Sequence, residues 1–279
     1  MYPIAKLLES VKDLPTSPQV LPKLMEILQD VNSDVEEAGD LISFDPALTA
    51  RLLRYCNSAY FAGADPVASV TDAIGRVGFN SISTLMTAAC SKDTFNMPVD
   101  CGLDSAVLWK HSVLTAFGAR FVAEATGGDS NMLFTAGILH DAGRVVLAKK
   151  YSSQYGQLMA QARHQSVQAS LLESDAYGFT HAEVSATMLR NWRFPSLLAK
   201  CVHYHHRPSE AGDAQREAAA VCLGDVLAHS ADQPLPSYII SEKELGQAMA
   251  LLGLTSDDMA DYGVRMKQNW DLVNSLVRG

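Results

Sequence analysis

Apolar residues recur at a period of about 3.6 along most of this chain, which is the pattern of helices with one buried face. Ser17 is placed as a helix N-cap and Pro18 as the first helical residue of the earliest clear stripe. That stripe comprises Val20, Leu21, Leu24, Ile27 and Leu28. No stretch alternates convincingly between apolar and polar residues, so the sequence predicts an all-α protein without a sheet.

Other predicted helices carry their own start signals. Ser33 with Glu36, and Ser241 with Glu244, have the spacing of a capping box, in which two side chains satisfy free amides at a helix start. The apolar pattern predicts further helices over about 45–56, 70–77, 81–90, 103–126 and 131–141, and a helical tail over about 240–278.

Two polar stretches divide the predicted helices into three parts. Residues 91–100 interrupt the apolar pattern, and residues 232–237 interrupt it again with two prolines. We therefore predict an N-terminal helical part over 1–98, a second helical part over 99–231 and a C-terminal tail over 232–279. The histidines are concentrated in the second part.

The composition is that of a globular protein, with 48% hydrophobic and 19% charged residues. A net charge of −9 argues against binding to nucleic acid or to an anionic membrane, because both need a positive protein surface. A small phosphorylated ligand stays possible, since a bound metal ion can supply positive charge locally.

The sequence contains no recognisable targeting signal, so a cytoplasmic location is expected. No apolar run approaches the roughly 20 residues that span a bilayer, and the N-terminus lacks the layout of a signal peptide. The five cysteines are scattered and include no CxxC pair, which fits reduced core residues in the cytoplasm.

The pair His140-Asp141 is the first candidate for chemistry. It follows an apolar helix, and Gly143 is placed to end that helix. A carboxylate beside an apolar face is costly unless it is paired or bound to a cation. Adjacent imidazole and carboxylate groups can both reach one metal ion, so the pair predicts part of a metal site.

Other polar residues repeat this placement among apolar neighbours. His111 lies early in a long apolar helix, Asp225 lies between core-type residues, and His181 lies at a helix start. His205 and His206 close the helix before them. Each group would be costly to bury alone, but around a metal ion they would satisfy one another.

Simpler interpretations exist for each residue taken singly. His111 could be a hydrogen-bonded core histidine, and Asp225 could be the buried partner of an arginine. The histidines at 203, 205 and 206 could form a partly exposed helix end, where they suit the helix dipole. His164 and His229 are interpreted as surface residues.

The ordered set of histidines and aspartates resembles the HD superfamily of metal-dependent phosphohydrolases. The resemblance implies one metal ion held by His111, His140, Asp141 and Asp225. It implies a second held by His181 and His205 with Asp141 bridging, and the adjacent His206 is predicted as a further ligand. One or two ions are expected, with iron, manganese, nickel or zinc all suited to such ligands.

Motifs in both halves make the resemblance more specific, to the HDOD family, over about residues 14–230. HDOD proteins are helical bacterial modules of signalling and regulation, and many have lost their HD ligands. The matching segments are 45–53, 57–60, 73–78, 109–112, 181–184 and 192–195.

The resemblance implies a signal-transduction or regulatory protein with a retained HD-like metal site, acting on a signalling partner or a small phosphorylated ligand. The alternative is a metal-dependent phosphohydrolase acting on a phosphomonoester, nucleotide or phosphodiester, with Arg144 and Lys110 neutralising charge in the reaction. Arg207 follows His206 where cyclic di-GMP phosphodiesterases of the HD-GYP type continue towards Gly-Tyr-Pro. That activity is therefore not expected.

Overall fold

The computed structural model describes residues 4–10, 56, 70–78, 80–82, 101–191, 195–231 and 242–268. Across these segments the regular structure is helical and no strand is present, which confirms the all-α prediction. Two 3-10 turns, Pro208–Glu210 and Gly212–Ala214, precede α9. The helices are α1 (Ile4–Ser10), α2 (Val70–Val77), α3 (Ser105–Thr126), α4 (Ser130–Leu139), α5 (Ala142–Gln165), α6 (Ala169–Tyr177), α7 (His181–Asn191), α8 (Ser196–His203), α9 (Gln215–Ala231), α10 (Glu242–Leu252) and α11 (Ser256–Gln268).

Most predicted helices that fall on described residues have nearly the predicted boundaries. Helix α2 spans the predicted 70–77, α3 begins at Ser105, and α10 and α11 share the predicted tail. The remaining predictions lie outside the described residues and stay predictions, as does the division into three parts. They are the helix after Ser17, the cap at Ser33 and Glu36, the Ser241 cap, the start of the helix over 45–56, most of 81–90, and the breaks at 91–100 and 232–237.

The predicted helix over 131–141 is wrong at its C-terminal end. Helix α4 stops at Leu139, and α5 starts after a short junction formed by His140 and Asp141. Gly143 therefore lies inside α5 and does not end a helix. Its missing side chain serves packing instead, because a Cβ there would overlap the carbonyl oxygen of His181 on α7.

Small residues hold α3, α4 and α9 in close contact. A Cβ on Gly224 of α9 would lie 2.5 Å from the backbone nitrogen of Ala119 on α3. A Cβ on Gly137 of α4 would lie 2.5 Å from the Cα of Ala116, also on α3. Because only glycine permits such approaches, the three backbones lie closer than larger contact residues would allow.

Two buried apolar clusters meet at the junction between α4 and α5. The larger one includes Phe117, Phe134 and Leu139, and it is built mainly from α3, α4, α8 and α9. The other includes Ala142 and Tyr155 and joins α1, α5, α6 and α7. The junction is therefore surrounded by core on both sides, which removes its polar side chains from bulk water.

None of the described helices combines the length with the apolarity needed to cross a bilayer.

Candidate metal centre

The structure brings the predicted histidines and aspartates into one buried cluster. Six of the seven predicted ligands are at most 6% exposed, and His206 is partly buried. They come from α3, α7, α9, the junction before α5 and the turn after α8. The six are His111, His140, Asp141, His181, His205 and Asp225.

On one side of the cluster, Asp225 connects α9 to α3. Its Oδ1 lies 2.9 Å from Nε2 of His111 and 4.0 Å from Nε2 of His140. His140 Nε2 is also 3.6 Å from Oδ2 of Asp141. The simpler interpretation of Asp225 as the partner of an arginine is not supported, because its described contacts are to histidines.

On the other side, Asp141 connects the junction to α7. Its Oδ1 lies 3.1 Å from Nε2 of His181, and its Oδ2 forms an ion pair with Arg144, 2.7 Å from Nε. His181 Nε2 is in turn 3.0 Å from Nε2 of His206. Asp141 also occupies the N-cap of α5 without making a side-chain cap hydrogen bond. Its carboxylate is directed to the cluster instead, close to the positive end of the helix dipole.

Backbone contacts fix the orientation of two histidines. Nδ1 of His140 donates to the carbonyl of Gly137 at 2.7 Å, and Nδ1 of His205 donates to the carbonyl of Val202 at 2.7 Å. Because a carbonyl only accepts, the proton of each neutral ring is on Nδ1 and the lone pair is on Nε2. Neither Nε2 has a hydrogen-bond partner within the described structure, although both are buried.

A chain of buried groups holds the third histidine. Glu173 on α6 accepts hydrogen bonds from the backbone N–H and from Nδ1 of His181, both at 2.7 Å. The hydroxyl of Tyr155 on α5 donates to the other Glu173 oxygen, also at 2.7 Å. A capping box between Thr180 and Glu183 fixes the helix start at which His181 lies. Together these contacts direct Nε2 of His181 into the cluster.

Replacing Tyr155 with phenylalanine is expected to lower the free energy of unfolding by about 1–3 kcal/mol, because it leaves a buried oxygen of Glu173 without its donor. Urea unfolding followed by circular dichroism measures the change. Tyr177→Phe is the matched control, since the Tyr177 ring stacks on Tyr151 at a centroid distance of 4.2 Å and keeps that contact as phenylalanine. Equal losses of stability in the two variants would contradict the assigned role of the Tyr155 hydroxyl.

The two aspartates are ionised despite their burial. Burial alone would raise the pKa of Asp141, but Arg144 and the neighbouring histidines hold it well below its usual range. Burial likewise opposes ionisation of Asp225, and hydrogen bonds beginning with that from His111 hold its pKa well below the usual range. Both groups are therefore carboxylates, which is the form that binds metal ions.

The histidines differ in charge. Burial lowers the pKa of His140 and lowers the pKa of His205 to about 3, so both rings are neutral. Burial also holds the pKa of His206 well below its usual value. The pKa of His181 is raised: burial and Arg144 oppose its protonation, but the carboxylates of Glu173 and Asp141 outweigh them.

The two predicted catalytic cations differ in their relation to the cluster. Arg144 is 3% exposed and its Nε is bound to Asp141, so its charge already compensates a cluster carboxylate. Lys110 is half-buried and directly precedes His111 on α3. Neighbouring residues on a helix point about 100° apart, so the two side chains diverge. Catalytic roles for both residues stay predictions.

Two residues of the cluster are missed by sequence reasoning. His229, interpreted above as a surface residue, has a side chain only 10% exposed, with Nε2 3.4 Å from Oδ1 of Asp225. That interpretation is wrong. The four-residue spacing between Asp225 and His229 places both side chains on one helix face, and this spacing could have indicated that His229 belongs to the cluster. Glu173 gave no comparable signal, because no spacing links it to His181. His164 is exposed, as expected.

The donor set fits metal ions. Nitrogen and oxygen ligand atoms lie within 4.8 Å of one another in four overlapping groups of three. Neutral imidazoles with oriented lone pairs, together with carboxylates, suit divalent transition metals, and a buried cluster of this kind otherwise leaves polar atoms unsatisfied. The groups are His181–His205–His206, His111–His140–Asp141, His111–Asp225–His229 and His140–His205–Asp225.

Comparison with known proteins places this chain in a family. The profile of the HDOD domain matches residues 14–208. An uncharacterised protein of Treponema pallidum is 24% identical over 204 residues, which cover 72% of this chain and 39% of that protein. The chain thus matches about two fifths of the length of this relative.

Two solved structures share the fold over nearly their whole length. An HDOD domain protein of unknown function from Geobacter sulfurreducens is 22% identical, with a TM-score of 0.81 and coverage of 98% of this chain and 95% of that one. A candidate phosphohydrolase from Shewanella amazonensis is 23% identical, with a TM-score of 0.75 and coverage of 98% and 97%. These likenesses establish the fold, and the family profile, which spans more than half of the sequence, establishes that this chain belongs to the HDOD family.

Proposed function

We propose that this protein is an HDOD signal-transduction module whose helical body is completed by divalent metal at the buried cluster. The observation that carries the proposal is the orientation of His140 and His205, whose buried Nε2 atoms face the cluster without a hydrogen-bond partner in the part of the chain described. A metal ion satisfies both lone pairs, and Asp141 and Asp225 supply the compensating negative charge.

Burial favours regulation over turnover. The six deeply buried ligands are at most 6% exposed, so a substrate has little direct access to them. In this role the ion would fix the relative positions of five structural segments and so stabilise the surface that a signalling partner recognises. The protein would then need bound metal in order to signal, because an ion that binds only the folded state stabilises that state and the surface it presents.

Removing the metal is expected to lower the melting temperature of the purified wild-type protein. A ligand present at about 100 times its dissociation constant stabilises the folded state by roughly 2.7 kcal/mol, which amounts to several degrees in a protein of this size. Elemental analysis gives the metal content, and scanning calorimetry before and after chelation, then after readdition of Mn²⁺, Fe²⁺ or Zn²⁺, gives the shift.

The control for this experiment is the double variant His140→Gln and Asp141→Asn, which keeps side-chain volume but removes two ligands. Compared with the wild type, it should show a markedly smaller rise in melting temperature when metal is added. A wild-type protein that purifies without metal and melts identically in its presence would refute the proposal.

A second candidate function, metal-dependent phosphohydrolysis, is favoured by one observation. His206 lines a half-open cleft of about 160 Å³, together with Thr180, His203 and Arg207. The cleft thus reaches the cluster from solvent. The guanidinium of Arg207 and the hydroxyl of Thr180 suit a phosphate group, while Glu244 places a carboxylate on the same cleft. A bound metal would supply an activated water, while Arg207 would orient the phosphate and Arg144 would hold Asp141 ionised.

Hydrolysis of generic phosphomonoesters, phosphodiesters and nucleotides in Mn²⁺ or Fe²⁺ tests this second function. Activity of this chain should vanish in the His140→Gln, Asp141→Asn variant. Activity that persists in that variant would come from a contaminant. A metal-bound wild type that is inactive on every class of phosphoester would leave the regulatory function as the remaining proposal.

A further inference from the structure

His229 lies where it can complete a metal site on the outer side of the cluster. Asp225 and His229 are one helical turn apart on α9, so their side chains share a face. That face meets His111 on α3, and the rings of His111 and His229 are 4.6 Å apart between centroids. The close approach of α3 and α9 at Gly224 holds these three side chains together.

The ligand atoms of these residues have the spacing of a coordination shell. Oδ1 of Asp225 is 2.9 Å from Nε2 of His111 and 3.4 Å from Nε2 of His229. Two ligands bound at about 2.1 Å to one ion lie roughly 3.0–3.4 Å apart at octahedral or tetrahedral angles. The three side chains are also 10% exposed or less, so the group is shielded from water.

The cluster also extends as a row of imidazoles, with His229 at one end. Ring contacts run from His229 to His111 at 4.6 Å, from His111 to His140 at 5.3 Å and from His140 to His205 at 5.0 Å. The group His181–His205–His206 lies at the other end of this row. Two sets of three ligands, one at each end, thus have His140 and Asp141 between them.

We propose that His229 is a direct metal ligand, which together with His111 and Asp225 holds one divalent ion. The inference rests on the proposed function and extends it, because the HD pattern assigns no ligand to position 229. The HD pattern assigns His111, His140, Asp141 and Asp225 to this ion, so His229 would be its fifth protein ligand and would occupy a coordination position that a hydrolytic site leaves to water. The ion on this side of the cluster is therefore suited to holding helices together and poorly suited to activating water.

The alternative is that His229 only donates a hydrogen bond to Asp225 and positions it. Both roles would lower metal affinity when His229 is removed, so affinity alone does not separate them. The electronic spectrum of the bound ion separates the two roles, because a ligand contributes to that spectrum directly and a positioning residue does not.

The test replaces His229 by glutamine and by cysteine and titrates each metal-free protein with Co²⁺. His229→Gln is expected to lower Co²⁺ affinity at least tenfold and to change the visible absorption bands. His229→Cys is expected to restore tight binding and to add a thiolate-to-cobalt charge-transfer band that the wild type lacks. His164→Gln, which replaces an exposed histidine, is the matched control and should bind Co²⁺ as the wild type does. Circular dichroism of each metal-free variant establishes that it is folded.

Each outcome bears on a separate claim. A His229→Gln variant with an unchanged spectrum would overturn the proposal, and a charge-transfer band in folded His229→Cys would support a direct bond between residue 229 and the metal. A wild type that binds no Co²⁺ and contains no other metal would instead refute the proposed function on which the inference rests.

Discussion

Replacing Asp141 with alanine is expected to lower the free energy of unfolding of the metal-free protein by about 3–5 kcal/mol, because it leaves the charge of Arg144 buried without its ion-pair partner. Asp141 and Arg144 are 2% and 3% exposed, so water cannot replace the lost contact. The same variant is expected to bind metal more weakly than the wild type, since Asp141 lies between the ligands on both sides of the cluster. Urea unfolding in the presence of a chelator measures the first effect, and elemental analysis measures the second.

The control for this prediction breaks an exposed ion pair of similar length. Asp213 lies 2.6 Å from Lys200 but its side chain is 76% exposed, and Asp213→Ala should leave stability nearly unchanged. Asp141→Ala combined with Arg144→Met should recover much of the lost stability, because it removes the buried charge as well. An Asp141→Ala protein as stable as Asp213→Ala would show that the buried pair contributes little.

Gly224→Ala is expected to lower the free energy of unfolding by about 1–3 kcal/mol or more, because the added methyl group has no room. Its Cβ would lie 2.5 Å from the backbone nitrogen of Ala119 and 2.6 Å from the carbonyl oxygen of Thr115. Relief requires α9 to move away from α3, which also separates Asp225 from His111. Metal affinity should therefore fall together with stability, and urea unfolding and metal titration measure the two effects.

A glycine-to-alanine substitution on an exposed helix face should instead raise the free energy of unfolding. Gly246 lies on the exposed face of α10, and a Cβ there meets nothing within 4 Å. Gly246→Ala should stabilise the protein by up to about 1 kcal/mol through the higher helix propensity of alanine. A Gly224→Ala variant that is stabilised like Gly246→Ala would contradict the close approach of α3 and α9.

Most residues of the candidate centre can be identified from the sequence alone. Helical periodicity alone predicts α2 and the approximate starts of α3 and α4, because long amphipathic or apolar stretches leave few alternatives. Polar residues such as His111 and Asp225 were identifiable because each interrupts an apolar helix, where burial without compensation is costly. This reasoning works wherever apolar residues on both sides of a polar residue in the sequence predict that it is buried.

The missed features depend on contacts between distant segments. Glu173 lies on α6 and binds His181 on α7, and nothing in the sequence around Glu173 indicates a buried carboxylate. Gly143 was interpreted as a helix stop because glycine ends helices often, but the close approach of α7 determines its role. His229 follows the helical spacing of Asp225, yet its burial depends on the side-chain packing against α3, which periodicity does not specify.

The order of the ligands along the chain has a consequence for how the protein folds. His111 and Asp225 lie on separate helices with most of the second half of the chain between them, and they meet through the contact of α3 with α9. During synthesis the site is therefore incomplete until α9 has emerged and docked, so full metal uptake is a late event. Once bound, the ion connects the first and last segments of the cluster. Because this site does not exist in the unfolded chain, the free energy of metal binding adds to the stability of the folded state.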